Sequence, residues 1–353
     1  MIARVTLEIA LRKEFDYLVP EEFQDRVEIG SRVKVPFGPR KVMGVVTGLP
    51  AQSEHAKLKP ILGVVGKGSF VTPKVLELAR WMAGYYCCPV ETALKSVLPV
   101  SVRKEKEGWK KQLYVRSIEP VGSPSKLTKR QEELNAVLRE WKELPLQEFL
   151  TMTQSTQATV KKLESAGVAL ISREVIERDP YAHEHIVPTE PLELNQEQKT
   201  SMDAVLKAMN HEEAAKQSNV FLLHGVTGSG KTEVYLQAIQ HALEQGKGAI
   251  VLVPEISLTP QTVERFKARF SSGKHQTLVA VLHSHLSEGE RHDEWHKIKE
   301  GRARIVIGAR SAVFAPVDPL GLIVVDEEHE HSYKQQEAPR YQGRDVAVGR
   351  GQR

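Results

Sequence analysis

The sequence predicts a multidomain α/β protein: a β-rich N-terminal unit, then helices followed by a β wing, then a lobe built on a parallel sheet. Three observations predict it. Short apolar runs separated by turn residues fill the first part of residues 1–105. A helical stretch from 126 gives way to a strand-like run at 168–175. From about residue 190, short apolar runs and helix-period segments alternate, which is the pattern a parallel sheet with crossover helices requires.

In the first unit, Arg32-Val33-Lys34-Val35-Pro36-Phe37-Gly38 alternates charged and apolar residues, and Val42 to Val46 runs as a second strand. Thr72 and Pro73 supply a cap and a first-turn proline for a helix to about Tyr86. Arg103–Gly108 reads as a charged linker and the Gly-Ser-Pro-Ser stretch at 122–125 as a boundary, so 106–125 is assigned as a linker. Thr128-Lys129-Arg130-Gln131 opens a helix to about Trp141 with a capping box. A short helix near Leu146–Leu150 and another over Gln154–Ala166 follow, and Val168–Val175 reads as a β-hairpin wing. Three helices and a wing over 126–180 suggest a winged-helix module. Such a module either lays its last helix in a DNA groove, here with Lys161 and Lys162, or serves as a spacer or protein contact.

The lobe from 190 to 353 carries the chemistry. Strands are expected at 220–223, 249–253, 278–282, 304–308 and 322–325, and Thr259-Pro260 is a helix start. Gly225-Val226-Thr227-Gly228-Ser229-Gly230-Lys231-Thr232 reads G-x-x-x-x-G-K-T, a phosphate-cradling loop. Its glycines turn successive N–H groups toward one anion, Lys231 reaches the β- and γ-phosphates, and the Thr232 hydroxyl ligates Mg²⁺. The run Val220-Phe221-Leu222-Leu223 before it reads as a buried strand, and the helical spacing of Val234, Ala238 and Ala242 after it reads as a helix. Leu322-Ile323-Val324-Val325 reads as a second buried strand, ending in Asp326-Glu327-Glu328-His329. Acidic residues at that strand end face the same crevice, so Asp326 joins the Mg²⁺ shell and Glu327 orients and deprotonates the attacking water. Lys231, Asp326 and Glu327 are the expected catalytic groups.

Composition sets bounds on the remainder. The 353 residues suit two or three domains, and a net charge of +4 leaves nucleic-acid binding to local patches. Charged residues interrupt every N-terminal apolar run, no stretch is long enough to span a bilayer, and the two cysteines, Cys87 and Cys88, are neighbours; a cytoplasmic protein is expected. His292 and His296 share a helix face, but Asp293 follows the first of them and no third ligand is evident, so no zinc site is expected there. Trp141 and Trp295 are expected to be packing residues.

The ordered motifs resemble the PriA (primosomal protein N′) family of replication-restart helicases in helicase superfamily two. Leu194-Asn195-Gln196-Glu197-Gln198 is similar to its glutamine motif, in which Gln198 would read adenine. The phosphate loop extends into Glu233-Val234-Tyr235-Leu236, as in that family. Val253–Gln261, Leu282-His283-Ser284 with Glu288–Arg291, and Ile307–Ala312 with Arg310 look like its DNA-tracking segments. Asp326–His329, then Ser332–Glu337 with Lys334, continue the set; Glu328 and His329 would lie at the nucleotide, His329 as its sensor. Pro339-Arg340-Tyr341 with Arg344 looks like the aromatic-rich loop that couples DNA to the ATP site.

That resemblance implies a β-rich N-terminal DNA-binding domain, a winged helix and a RecA-like parallel α/β helicase lobe. In the first unit Phe15, Asp16, Tyr17, Gly38 and Lys59 fall where the family holds the 3′-terminal nucleotide of a nascent strand. Phe15 or Tyr17 would stack a base, Asp16 would accept from a 3′-hydroxyl and repel a phosphate, and Lys59 would pair with the backbone. Without the resemblance, Phe15 reads as core and Asp16 as a turn residue. The implied activity is an ATP-dependent 3′-to-5′ DNA helicase that recognises stalled or D-loop forks and initiates primosome assembly. ATP and Mg²⁺ would be its cofactors, and forked and single-stranded DNA, single-stranded-DNA-binding protein and primosome proteins its partners, with no membrane. The family's second motor lobe and its zinc module of clustered cysteines have no counterpart in this sequence, which stops at Gly349–Arg353. The N-terminal half of such a helicase is therefore expected; the alternative is a fork-binding module whose motor does not translocate.

Overall fold

A computed structural model of the chain describes all residues except 8, 10–12, 67–68, 70, 99–109, 119–126, 177, 179–185, 211–218 and 272–275. The charged stretch at 103–108 and the boundary at 122–125 lie outside the described residues. The chain divides into two compact units: Met1–Gly108 with Asp179–Arg353, and Trp109–Arg178.

Alternating apolar residues build the first sheet of the larger unit. Strands β1 (Ile2–Leu7), β2 (Phe15–Leu18), β3 (Arg32–Phe37), β4 (Arg40–Gly48) and β5 (Gly63–Val65) run antiparallel in the order β2-β1-β4-β3-β5. Ala3, Val5, Tyr17, Val33, Val35 and Val46 fill its core, as the period of two requires. Helix α1 (Pro73–Tyr85) starts at Thr72, whose side chain accepts from Val75 N–H, with Pro73 in the first turn. Helix α2 (Val90–Val97) follows.

The smaller unit departs from the expected plan. The segment assigned as a linker contains strand β6 (Lys110–Ser117), and β8 (Ala169–Ile176) pairs with β6 along its whole length instead of folding on itself as a hairpin. Residues 168–175 carry no turn-forming pair, so the wing finds its partner upstream. Strand β7 (Glu143–Pro145) completes a three-stranded sheet in the order β7-β6-β8. Helices α3 (Lys129–Trp141, with the Thr128/Gln131 capping box), α4 (Leu146–Thr153) and α5 (Gln157–Ser165) cover it. Leu134, Leu138, Phe149, Val160 and Leu163 close the core with Val115. Trp141, the last residue of α3, is 55% exposed and does not pack as expected.

The C-terminal part of the larger unit holds four parallel strands in the order β10-β11-β9-β12: β9 (Gly248–Leu252), β10 (Leu278–Leu282), β11 (Ala303–Gly308) and β12 (Leu320–Val325). β9 is buried along its whole length, typical of a parallel strand covered on both faces. The connecting helices are α6 (Gln196–Asn210), α7 (Lys231–Glu244), α8 (Pro260–Phe270), α9 (Glu288–Lys299) and α10 (Gly343–Gly351). The expected strand at 220–223 does not form: the run is unpaired, with Val220, Phe221 and Leu222 at 59%, 50% and 74% exposure. β12, expected to be buried, is half-buried at the edge of the sheet. Apolar β-formers become a strand only when a ladder partner receives their backbone, and none of the described residues offers one to 220–223. A cleft of about 2250 Å³ separates the run from β12 and reaches Lys231 and Asp326.

Candidate nucleotide site and DNA-facing surfaces

Two glycines shape the phosphate loop. Gly228 and Gly230 have φ of 82° and 80°, and Gly230 stands immediately before α7. Those left-handed residues turn the loop immediately before the N-terminal end of α7, the end of a helix that favours an anion. Lys231 Nζ donates to the carbonyls of Gly225 (2.6 Å) and Val226 (3.1 Å), holding its ammonium inside the loop. Ser229 N–H donates to Val226 O at 3.2 Å, which closes the turn that contains Thr227. Gln198 Nε2 donates to Ser229 O at 2.9 Å. Asn195 and Gln198 cap α6 reciprocally, each backbone N–H reaching the other's side-chain oxygen at 2.9 Å.

The acidic strand end meets this loop. The Tyr235 hydroxyl lies 3.3 Å from Thr232 Oγ1 and 3.4 Å from Asp326 Oδ2, so one phenol bridges the loop threonine and the strand-end carboxylate. Burial, then the neighbouring Glu327, push the Asp326 carboxyl above the ordinary aspartate range, and Lys231 is near enough to oppose them. Burial also pushes the Tyr235 phenol up to about 12, so it stays a hydrogen-bond donor. Glu327 is exposed with φ of 46°, a left-handed conformation that costs a non-glycine residue of order 1–3 kcal/mol. Tyr333 OH anchors the turn by donating to Asp326 O at 2.6 Å. His329 Nε2 is 3.7 Å from Glu327, and Glu328 is paired with Arg344. The donor set fits a hard divalent cation: a hydroxyl and a carboxylate on one bridging phenol, the carboxylate bonded, among the described residues, to no cationic side chain.

The expected DNA contacts divide into buried and exposed groups. Tyr341 is buried at 3% exposure, with Arg310 5.7 Å above its ring, so it is a packing residue and not a surface for bases. Arg310 donates to the carbonyls of Ser332 and Lys334, and Lys334 Nζ donates to Arg340 O at 2.7 Å. These bonds tie the loop after the acidic motif to the turn Arg310–Phe314; Arg340 and Arg344 remain exposed. Tyr17 is also interior, its hydroxyl donating to Pro36 O at 3.2 Å, while Phe15 is half-buried edge-on to Phe37 at 5.5 Å. Of the two rings, Phe15 alone keeps accessible surface for stacking. Asp16 points to the opposite face, where Arg4 donates through Nε (2.9 Å) and Nη2 (3.2 Å) and Ser53 OH donates at 2.8 Å. Gly38 turns the β3–β4 hairpin at φ 57°, and Lys59 is exposed, its carbonyl accepting from Leu18 N–H at the end of β2 at 3.0 Å. Lys161 and Lys162 are exposed on α5.

Sequence reasoning missed two features. Glu233 is bonded to Arg269, and the Tyr86 hydroxyl accepts from Gln342 N–H at 3.1 Å. Only the acidic residue following Gly-Lys-Thr was visible as a signal for the first.

Comparison with known proteins places these sites in context. Residues 4–99 match the family model of the PriA 3′ DNA-binding domain (3′BD), and residues 195–345 match that of the DEAD/DEAH box helicases. The replication restart protein PriA of Bacillus subtilis (strain 168) is 36% identical over 410 residues, covering 96% of this chain and 50% of its own length. That of Haemophilus influenzae is 36% identical over 362 residues, covering 98% and 47%. That of Treponema pallidum is 33% identical over 352 residues, covering 98% and 41%. The chain thus spans about half the length of the curated relatives it matches.

Proposed function

Over about half the length of its curated relatives the chain belongs to the PriA family of replication restart proteins, and on that premise we propose an ATP-dependent, 3′-to-5′ DNA-helicase role at stalled or D-loop forks. In this reading the chain binds forked and single-stranded DNA and acts with single-stranded-DNA-binding protein and primosome proteins. The observation that carries it is the phenol bridge from Thr232 to Asp326 beside Lys231.

Lys231 leaves the Gly225 and Val226 carbonyls for the β- and γ-phosphates, exchanging two neutral acceptors for anionic ones. Thr232 and Asp326 would hold Mg²⁺, which when bound neutralises charge on the phosphate oxygens. Glu327 orients the attacking water and takes its proton, His329 lies beside it, and Gln198 meets adenine. Fork recognition rests on the first sheet, where Phe15 stacks, Asp16 disfavours a terminal phosphate, and Lys59 pairs with the backbone.

The test compares binding of forks ending in a 3′-hydroxyl with forks ending in a 3′-phosphate. The hydroxyl fork should bind more tightly, and Asp16→Ala should erase the preference. Lys231→Ala should remove nucleotide binding and leave fork affinity unchanged. Equal affinity for both forks in the unmodified chain would overturn the 3′-end reading.

A further inference from the structure

Glu233 is the third residue of α7, and its side chain is turned away from the phosphate loop into the protein. Its carboxylate accepts from Arg269 Nη1 (3.0 Å) and Nη2 (2.8 Å), from Leu192 N–H (3.0 Å) and from Gln237 Nε2 (2.9 Å). Gln237, one turn later, also donates to Leu192 O at 2.8 Å. Two side chains of α7 thus take both backbone groups of Leu192, as a neighbouring strand would. Upstream, Thr189 N–H is fixed to Ala268 O in the last turn of α8, next to Arg269. Downstream, Leu194 is buried with Met202, Val234 and Ala238, and Gln198 reaches the phosphate loop at Ser229 O. A Cβ on Gly230 would lie 2.4 Å from Gln198 Nε2, so that amide rests directly on the loop.

Residues 189–198 therefore form a strap running from α8 to the phosphate loop, pinned midway by a buried ion pair. We propose that Glu233 and Arg269 are a positioning pair that holds this strap, and with it Gln198, as the rim of the nucleotide-base pocket, setting how much the base adds to binding. The inference rests on the reading that the phosphate loop binds ATP. It extends that reading by separating base affinity, which the strap controls, from phosphate affinity, which Lys231 and Thr232 supply. Neither side of the pair is dispensable. Without the carboxylate the buried Arg269 guanidinium keeps its desolvation penalty, and Leu192 N–H loses the acceptor that holds the strap. Burial alone would raise the Glu233 carboxyl, but the bonds from Arg269, Gln237 and Leu192 outweigh it and hold it low, so it is ionised at neutral pH.

The experiment measures affinity for ADP and for inorganic pyrophosphate, which carry the same number of phosphates, in the unmodified chain, Glu233→Gln and Gln237→Ala. The unmodified chain should bind ADP more tightly than pyrophosphate. Glu233→Gln should weaken ADP by roughly tenfold and leave pyrophosphate within about twofold. Gln237→Ala, which leaves the ion pair intact, should move ADP the same way by a smaller factor, so the inference stays testable if Glu233→Gln does not fold. Equal weakening of both ligands, or of neither, in a folded variant would overturn the positioning role. Failure of the unmodified chain to bind either ligand would overturn the nucleotide reading on which it stands.

Discussion

Asp16, within β2, and Asp326, the first residue after β12, belong to one compact unit, and their surroundings drive them in opposite directions. Asp16 lies opposite Arg4 on the neighbouring strand. The hydrogen bonds from Arg4 come first, burial opposes them and Ser53 adds to them, and together they hold its carboxyl below the usual aspartate range. Asp326 follows the last residue of β12, where burial and Glu327 hold its carboxyl above that range, and among the described residues a phenol and one backbone N–H donate to it. The first charge is answered within the chain; in the proposed reading a bound cation would answer the second. In the proposed reading a 3′-hydroxyl at Asp16 would share its oxygens with Arg4 and Ser53.

The largest expected effect breaks the ligand side of the contrast: Lys231→Ala should weaken ATP by about a hundredfold or more in equilibrium binding, since a charge-assisted contact to phosphate is lost. Asp326→Asn follows, with effects of opposite sign. It should remove the Mg²⁺ dependence of nucleotide binding while raising the ligand-free melting temperature by a few degrees, on the order of 1 kcal/mol. The sign follows from the raised folded-state pKa. In the unmodified chain stability falls as pH rises from the ordinary aspartate value through the raised one, and that fall should be missing from the Asp326→Asn melts.

Asp16→Asn should act the other way, lowering stability near neutrality by about 1 kcal/mol, a figure kept small because Arg4 is 39% exposed and screened by solvent. Because the Asp16 pKa is depressed, its contribution is present above the ordinary aspartate value and lost as pH falls through the lowered one; chemical denaturation at several pH values checks this. The smallest effect belongs to Tyr235→Phe. It removes the hydroxyl shared by Thr232 and Asp326 and should shift the Mg²⁺ concentration needed for nucleotide binding by about threefold, leaving metal-free binding unchanged.

Much of the nucleotide site was legible because its parts are local. The spacing from Gly225 to Thr232 dictates a loop, and an apolar run ending in Asp326-Glu327 dictates a strand end. Caps at Thr72, Thr128 and Thr259 likewise marked helix starts, since a cap works within one turn. Long-range pairing was not legible. Nothing local joins Lys110–Ser117 to Ala169–Ile176, and the charged residues around 103–111 made the upstream strand look like a linker. Tyr341 illustrates a different limit: its place in a segment resembling a DNA-coupling loop suggested a DNA contact, yet packing against Phe314 took the ring inside. The strand expected at 220–223 had the right residues and lacked a partner to bond with.

The seam between the N-terminal sheet unit and the parallel-sheet lobe carries one more consequence. Leu78, Met82 and Leu94 share a single apolar cluster with Ile250, Val306, Phe314 and Tyr341, although the two groups fall within different family models. Trp81 presses against Gly349 so closely that an added methyl carbon would lie 2.7 Å from its ring. The boundary between the two family models is therefore no joint for melting. The two should lose structure in one calorimetric transition, and a fragment cut between them would carry an oily face into solution and aggregate.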